Sequence, residues 1–165
     1  LDHPELPYDA VDPGRALYGM IGPEDRAGLE LRPVVSAISS ELVQVRDLKA
    51  GAMLQLAYGG SHVAGEGARI GVIPIGHFDG LSATGVLGSV LVRGKEMPVL
   101  ARTLLASIID LTQVPEAGRG ERVTLAGESQ RLRRDIFQLA RSLETDATLL
   151  HFGLVRHLPK FDGCG

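Results

Sequence analysis

The sequence has one cysteine, Cys164, in 165 residues, so no disulfide can close within it and no cysteine-based metal site can be assembled. A reducing compartment suits such a chain. The opening residues Leu1-Asp2-His3-Pro4 offer no apolar signal core, and a cytoplasmic location is therefore expected. Long apolar runs are missing too. Gly, Pro or charge interrupts each one well short of the roughly twenty residues that a membrane helix needs. Nor is there an excess of basic charge: 17 Lys and Arg stand against 20 Asp and Glu, a net charge of -3. That leaves no electrostatic footprint for nucleic acid or an anionic membrane. Nucleophile-elbow and P-loop patterns are absent, and Gly65-Glu66-Gly67 lacks the third glycine and following helix of a dinucleotide fingerprint.

What is present divides the chain in two. Residues 1–30 hold Pro4, Pro7, Pro13 and Pro23 with Gly14, Gly19, Gly22 and Gly28, a mixture that predicts irregular backbone. From residue 31 to residue 165 the pattern becomes β-rich. Pro33 to Val45 reads as one long strand, Met53 to Tyr58 and Arg69 to Ile75 as two more, and Ser89 to Leu100 as a hairpin folded at Arg93-Gly94-Lys95-Glu96. Thr103 to Leu111 and Arg122 to Gly127 continue the β pattern. Ser129 to Leu143 has helical periodicity in Leu132, Ile136, Leu139, Ala140 and Leu143, with Ser129 as an N-cap. Leu149 to Leu158 reads as a last strand. The expectation is a mainly β fold: a compact, barrel-like β domain with one late α-helix and an irregular N-terminal segment.

Two glycine-flanked motifs carry the candidate chemistry. In Tyr58-Gly59-Gly60 the paired glycines let the chain turn away just after the ring and leave a phenol protruding; a hairpin with a tyrosine at its edge would read the same way. Eighteen residues further on begins Gly76-His77-Phe78-Asp79-Gly80. His77 and Asp79 share one side of an extended strand, but two ligands without a third are weak evidence for zinc, and no metal site is expected. His151 and His157 sit in apolar surroundings, as core or edge histidines do. Arg131, Arg133 and Arg134 read as the solvated face of the helix.

The succession of segments resembles alanine racemase, from the end of its barrel through its C-terminal β domain. Asp12-Pro13-Gly14-Arg15-Ala16-Leu17-Tyr18-Gly19 is similar to the family's Arg-Pro-Gly-Ile-Ala-Leu-Tyr-Gly. Val45-Arg46-Asp47-Leu48-Lys49-Ala50-Gly51 resembles its first hairpin turn and Tyr58-Gly59 its Tyr-Gly motif. Ile73-Pro74-Ile75-Gly76-His77-Phe78-Asp79-Gly80 resembles its Pro-Ile-Gly-Tyr-Ala-Asp-Gly. Arg93-Gly94-Lys95, Pro98 to Arg102 and Gly120-Glu121-Arg122-Val123 match further signatures in order.

The resemblance implies a pyridoxal 5'-phosphate enzyme in which an α/β barrel carries the cofactor lysine and this β domain reaches across a head-to-tail homodimer. Tyr58 would be the catalytic base on one face of the substrate. Asp12, Gly14, Arg15 and Arg156 would fall on cofactor-binding positions, and His77, Asp79, Leu105 and Ala106 on substrate and entrance positions. Residues 1–30 would be the end of the barrel and its linker.

Several positions depart from the family pattern. Asp12 stands where the family has an arginine facing the pyridine nitrogen, and a carboxylate there would favour a protonated ring. Arg15 replaces an aliphatic residue, and can clamp phosphate or pair with Asp12. Leu104-Leu105-Ala106-Ser107 replaces a Cys-Met-Asp-Gln segment whose Met-Asp pair holds the substrate carboxylate region. Lys49, Lys95 and Lys160, the three lysines present, do not resemble the cofactor lysine, so a barrel domain or partner subunit would have to supply it. The alternative is a non-catalytic interaction or dimerisation domain derived from the family. Residues 1–30 should bear an exposed apolar patch where a barrel would pack, and a fully polar surface there would favour the alternative.

Overall fold

The computed structural model describes residues 9–10, 12–22, 24, 28–55, 61–81 and 88–160. Within them the chain forms β1 (Ile38–Glu41), β2 (Gln44–Asp47), β3 (Met53–Gln55), β4 (Ser61–Val63), β5 (Arg69–Ile73), β6 (Ser89–Val92), β7 (Lys95–Arg102), β8 (Ser107–Asp110), β9 (Arg122–Ser129) and β10 (Leu132–Arg134). Helices α1 (Ile136–Ser142) and α2 (Ala147–His157) follow. The main sheet is antiparallel in the order β1-β9-β6-β7-β8-β5-β2, with β10 folded back on β9, and β3 and β4 form a separate two-stranded ribbon. The fold is mainly β, as the sequence predicts.

The predicted long strand from Pro33 to Val45 is instead two short ones. Its first half pairs with β9 and its second with β5, which are near opposite ends of the strand order. The change of partner occurs within two residues: the Leu42 amide donates to Glu121 O at 2.9 Å and the Val43 amide to Val72 O at 2.9 Å. One bent segment thereby joins both borders of the sheet and gives it a barrel-like closure.

The β6–β7 hairpin turns where the sequence places it. Arg93 (φ 49°) and Gly94 (φ 71°) both adopt left-handed backbone, the requirement of a two-residue turn whose twist matches its strands. Side chains from the sheet interior, among them Val92, Ile109 and Val123, share one core with Leu139 and Leu143 of α1 and Leu150 and Leu154 of α2. Each such side chain stabilises the fold by about 1.5–3 kcal/mol relative to exposure.

Two expectations fail at the C-terminal end. Ser129 to Leu143 is not one helix: Ser129 ends β9, Gln130 turns with φ 53°, and β10 follows before α1 starts at Ile136. The N-cap is Asp135 rather than Ser129. Its Oδ1 accepts from the Gln138 amide at 2.8 Å, while Gln138 Oε1 accepts from the Asp135 amide at 2.8 Å. That reciprocal pair satisfies donors that a helix end would leave open. Leu149 to Leu158 is not a strand but most of α2, capped by Asp146. Among the described residues there are thus two helices where one was expected. Arg134 also leaves the predicted solvated face. It is buried (8% exposed) and donates to Ser89 O at 2.8 Å, Ser89 Oγ at 2.9 Å and Glu96 Oε1 at 2.6 Å.

Candidate functional site

Two turns from distant parts of the sequence lie side by side. The first is a 3-10 turn over His77–Asp79. Asp79 closes it by accepting the Gly76 amide on Oδ2 at 2.8 Å, and His77 Nδ1 lies 3.2 Å from Leu81 O, as a donor on that nitrogen would. The second turn runs from Thr103 to Ala106. Thr103 Oγ1 accepts from the Leu105 amide at 3.3 Å and the Ala106 amide at 3.0 Å, and donates to Ala106 O at 3.1 Å. This is the local side-chain-to-backbone closure that threonine favours in turns.

Backbone hydrogen bonds fasten the two turns together, from the His77 amide to Thr103 O at 3.1 Å and from the Phe78 amide to Leu104 O at 2.9 Å. Ser107 Oγ adds a bond to Ile75 O at 2.7 Å. Both turns present apolar surface: Phe78 is 63% and Leu105 66% exposed.

Helix α2 forms the common seat for the His77–Asp79 turn and for the N-terminal segment. Gly153 packs against Gly80, the residue after the His77 turn, so closely that a Cβ on Gly80 would stand 2.2 Å from Gly153 C. Gly80 also has φ +97°, backbone that side-chain-bearing residues rarely adopt. Just before Gly153, His151 and Phe152 receive Tyr18, with ring centroids 6.2 and 5.8 Å away. Nearer its start, Thr148 Oγ1 accepts from Arg15 Nη1 at 3.5 Å.

At the head of α2, Asp146 Oδ1 accepts from the Thr148 amide at 2.8 Å and the Leu149 amide at 3.2 Å. Desolvation alone would raise the Asp146 pKa, but those amides, the Thr148 hydroxyl and the Arg15 charge outweigh it and hold the carboxyl below its ordinary value. Beside this helix start is an open cleft of about 210 Å³, with Arg15, Arg141, Glu24 and Thr148 among its walls. Arg141 and Glu24 face each other across 3.8 Å.

The candidate residues fall into three groups. His77, Asp79, Leu105 and Ala106 come together on the paired turns. Gly14 and Arg15 open an exposed 3-10 turn, and Asp12, just before it, accepts the Gly14 amide on Oδ1 at 2.9 Å. Arg15, for which the sequence left both a phosphate clamp and a pair with Asp12 open, reaches Thr148. Arg156 lies in the last part of α2, with its side chain outside the described residues. Tyr58 also lies outside them, in the sequence joining β3 to β4.

His151 is buried (3% exposed), in agreement with its apolar sequence context, and burial holds its imidazole pKa below the ordinary histidine value. The N-terminal segment does expose Leu17, Tyr18 and Leu29. Sequence reasoning missed Thr103 as the organiser of its turn. A threonine five residues before the β-branched pair Ile108-Ile109 was the available signal. It also missed Tyr18, for which an aromatic in a proline-rich segment was the hint.

Comparison with known proteins agrees with this architecture. The sequence profile described as alanine racemase, C-terminal domain, matches residues 35–161. The biosynthetic alanine racemase of Escherichia coli K12 is 37% identical over 130 residues, 76% of this chain and 35% of that protein. The alanine racemase of Syntrophobacter fumaroxidans is 36% identical over 130 residues, 77% of this chain and 34% of that one. A crystal structure of alanine racemase from E. faecalis superposes with a TM-score of 0.73 at 28% identity, over 87% of this chain and 38% of the other. The chain thus spans about a third of the length of the curated relatives it matches. By the matched profile, the shared identity and the antiparallel β domain beneath both, the chain belongs to the alanine racemase C-terminal domain family.

Proposed function

We propose that this chain works as the C-terminal portion of a pyridoxal phosphate-dependent amino-acid racemase, in the cytoplasm, within a homodimer whose barrel domain supplies the cofactor lysine. Tyr58 is the base for one face of the substrate. The observation that carries the reading is the common seat on α2, which gathers Arg15 through Thr148, Tyr18 through His151 and Phe152, and the His77–Asp79 turn through Gly153. Segments separated widely in sequence, and matched separately to the family's site, meet on one helix.

The residues present fit part of a cofactor holder. Arg15 is an exposed cation, bonded weakly at 3.5 Å, and suits a phosphate group. The Asp12 carboxylate is fixed by the Gly14 amide and keeps a second oxygen able to accept from a protonated ring nitrogen. When bound, the cofactor supplies the electron sink that makes the substrate Cα–H acidic. Tyr58 Oη takes or returns that proton, for which a phenol with a pKa near 10 needs cationic or hydrogen-donating neighbours. Lys95 donates Nζ to Gln113 O at 2.9 Å and is committed to the β6–β7 hairpin, in keeping with a lysine brought by the barrel.

A second reading, an interaction module without catalysis, draws on Leu104, Leu105 and Ala106, which put no ionisable side chain on the turn beside His77. One experiment separates the two. The chain is combined with a separately produced, lysine-bearing racemase barrel and pyridoxal phosphate, and exchange of the alanine Cα proton in D2O is followed by NMR. Exchange that Tyr58→Phe lowers by about 10²–10⁴-fold, the usual contribution of a positioned base, supports the racemase reading. Exchange unchanged by Tyr58→Phe overturns the role of the tyrosine. A stable complex without exchange favours the interaction module.

A further inference from the structure

The Thr103–Ala106 turn uses two of its amides on itself and carries no ionisable side chain. The Leu105 and Ala106 amides, which could face an anion, both donate to Thr103 Oγ1. The Thr103 hydroxyl proton in turn goes to Ala106 O at 3.1 Å. The neighbouring turn is similarly self-contained: Asp79 takes its own Gly76 amide, and the Phe78 amide is spent on Leu104 O. What the two turns offer outward is the side chains of Phe78, Leu104 and Leu105.

We infer that these paired turns form an apolar wall for the substrate side chain, making the site selective for amino acids with aliphatic side chains larger than a methyl group. The inference rests on the racemase reading above. Thr103 is then a positioning residue. Its hydroxyl keeps the two amides occupied and fixes Leu105 on the outside of the turn, and Leu105 is the contact that sets specificity. An acidic side chain loses its water against Leu104 and Leu105, while an aliphatic one finds hydrocarbon. Each added methylene that fits such a surface is worth about tenfold or more in relative kcat/KM.

The test uses the complex of this chain with a lysine-bearing barrel and pyridoxal phosphate, offered leucine, alanine and glutamate in competition. Leucine exchange favoured over alanine by at least about tenfold, with glutamate slowest, is the expected result. Leu105→Arg, which sets a cation on the wall, should reverse the order of leucine and glutamate. Thr103→Val, which removes the acceptor oxygen and opens both amides, should narrow the leucine preference, and Thr103→Ser should restore it.

Binding is read independently of turnover. In the complex without cofactor, the Leu104 and Leu105 methyl resonances should shift on titration with leucine and stay in place with glutamate. If alanine exchanges and leucine is not preferred, or if Leu105→Arg leaves the order intact, the apolar wall is wrong and the racemase reading stands. If no amino acid exchanges and no methyl shifts, both fall together.

Discussion

Gly80 and Gly153 meet backbone to backbone, and a Cβ added to either would not be accommodated equally. On Gly80 it would lie 2.2 Å from Gly153 C, whereas on Gly153 it would lie 3.1 Å from Gly80 Cα. Gly80 also has φ +97°. Gly80→Ala therefore combines backbone strain with overpacking and should destabilise the chain by about 3 kcal/mol. Gly153→Ala meets the milder contact and gains about 1 kcal/mol of helix propensity, so its net effect should be small. Urea titration of both variants checks the difference, and equal midpoints would refute it.

Arg134 and Glu96 should not be worth the same. The Arg134 side chain is 9% and the Glu96 side chain 61% exposed, so removing the arginine strips three hydrogen bonds from a buried position. Arg134→Ala should cost about 2 kcal/mol, in line with charge-assisted bonds. Glu96→Ala should cost less, because Ser89 still accepts from the guanidinium through its carbonyl and hydroxyl. Urea midpoints that place Glu96→Ala below Arg134→Ala would contradict this ranking.

His151 makes stability depend on pH in one direction. Burial lowers its folded pKa, so as pH falls through about 6.5 the unfolded state takes up a proton first. Its contribution is fully present above that pH and declines below it, until the folded form also protonates. The fall in urea midpoint between pH 7.5 and pH 5.5 should be smaller in His151→Leu than in the parent chain. Equal slopes would show that another group dominates.

Asp146 acts at lower pH. Its folded pKa is depressed, so its stabilisation is present above the ordinary carboxyl range and is lost as pH falls through the folded value. Asp146→Ala should cost about 1 kcal/mol at pH 7, the usual value of an N-cap, and Asp146→Asn less. The penalty of Asp146→Ala measured by urea titration should shrink on approach to pH 3.

Elements whose signals are local were the most legible in the sequence. The β6–β7 hairpin needed Arg93-Gly94 and alternating neighbours, and it is found in that place. The helix at the end was not recognised because Phe152 and Val155 weigh toward a strand and Gly153 weighs against a helix. Yet Leu150 and Leu154 are spaced by four and both buried, and Asp146 stands one residue before the helix. Gly153, poor for a helix by propensity, lies against the Gly80 backbone, where a side chain larger than a methyl group would be crowded. That constraint comes from a residue 73 positions away and is invisible to any local window. The same holds for Leu42 and Val43, which look like the middle of a strand and are instead the point where it changes partners. At the site, types of residue were legible from motif order, but their hydrogen-bond economy was not. Only the fold shows that Thr103 consumes the Leu105 and Ala106 amides.

The crossing at Leu42-Val43 has a mechanical consequence. Because β1 is bonded to one border of the sheet and β2 to the other, tension applied to this short segment loads both borders at once. The barrel should therefore open as a single event and not peel strand by strand. Amides of β1 and β2 should then exchange with solvent at a common rate, although their partners sit far apart in the strand order.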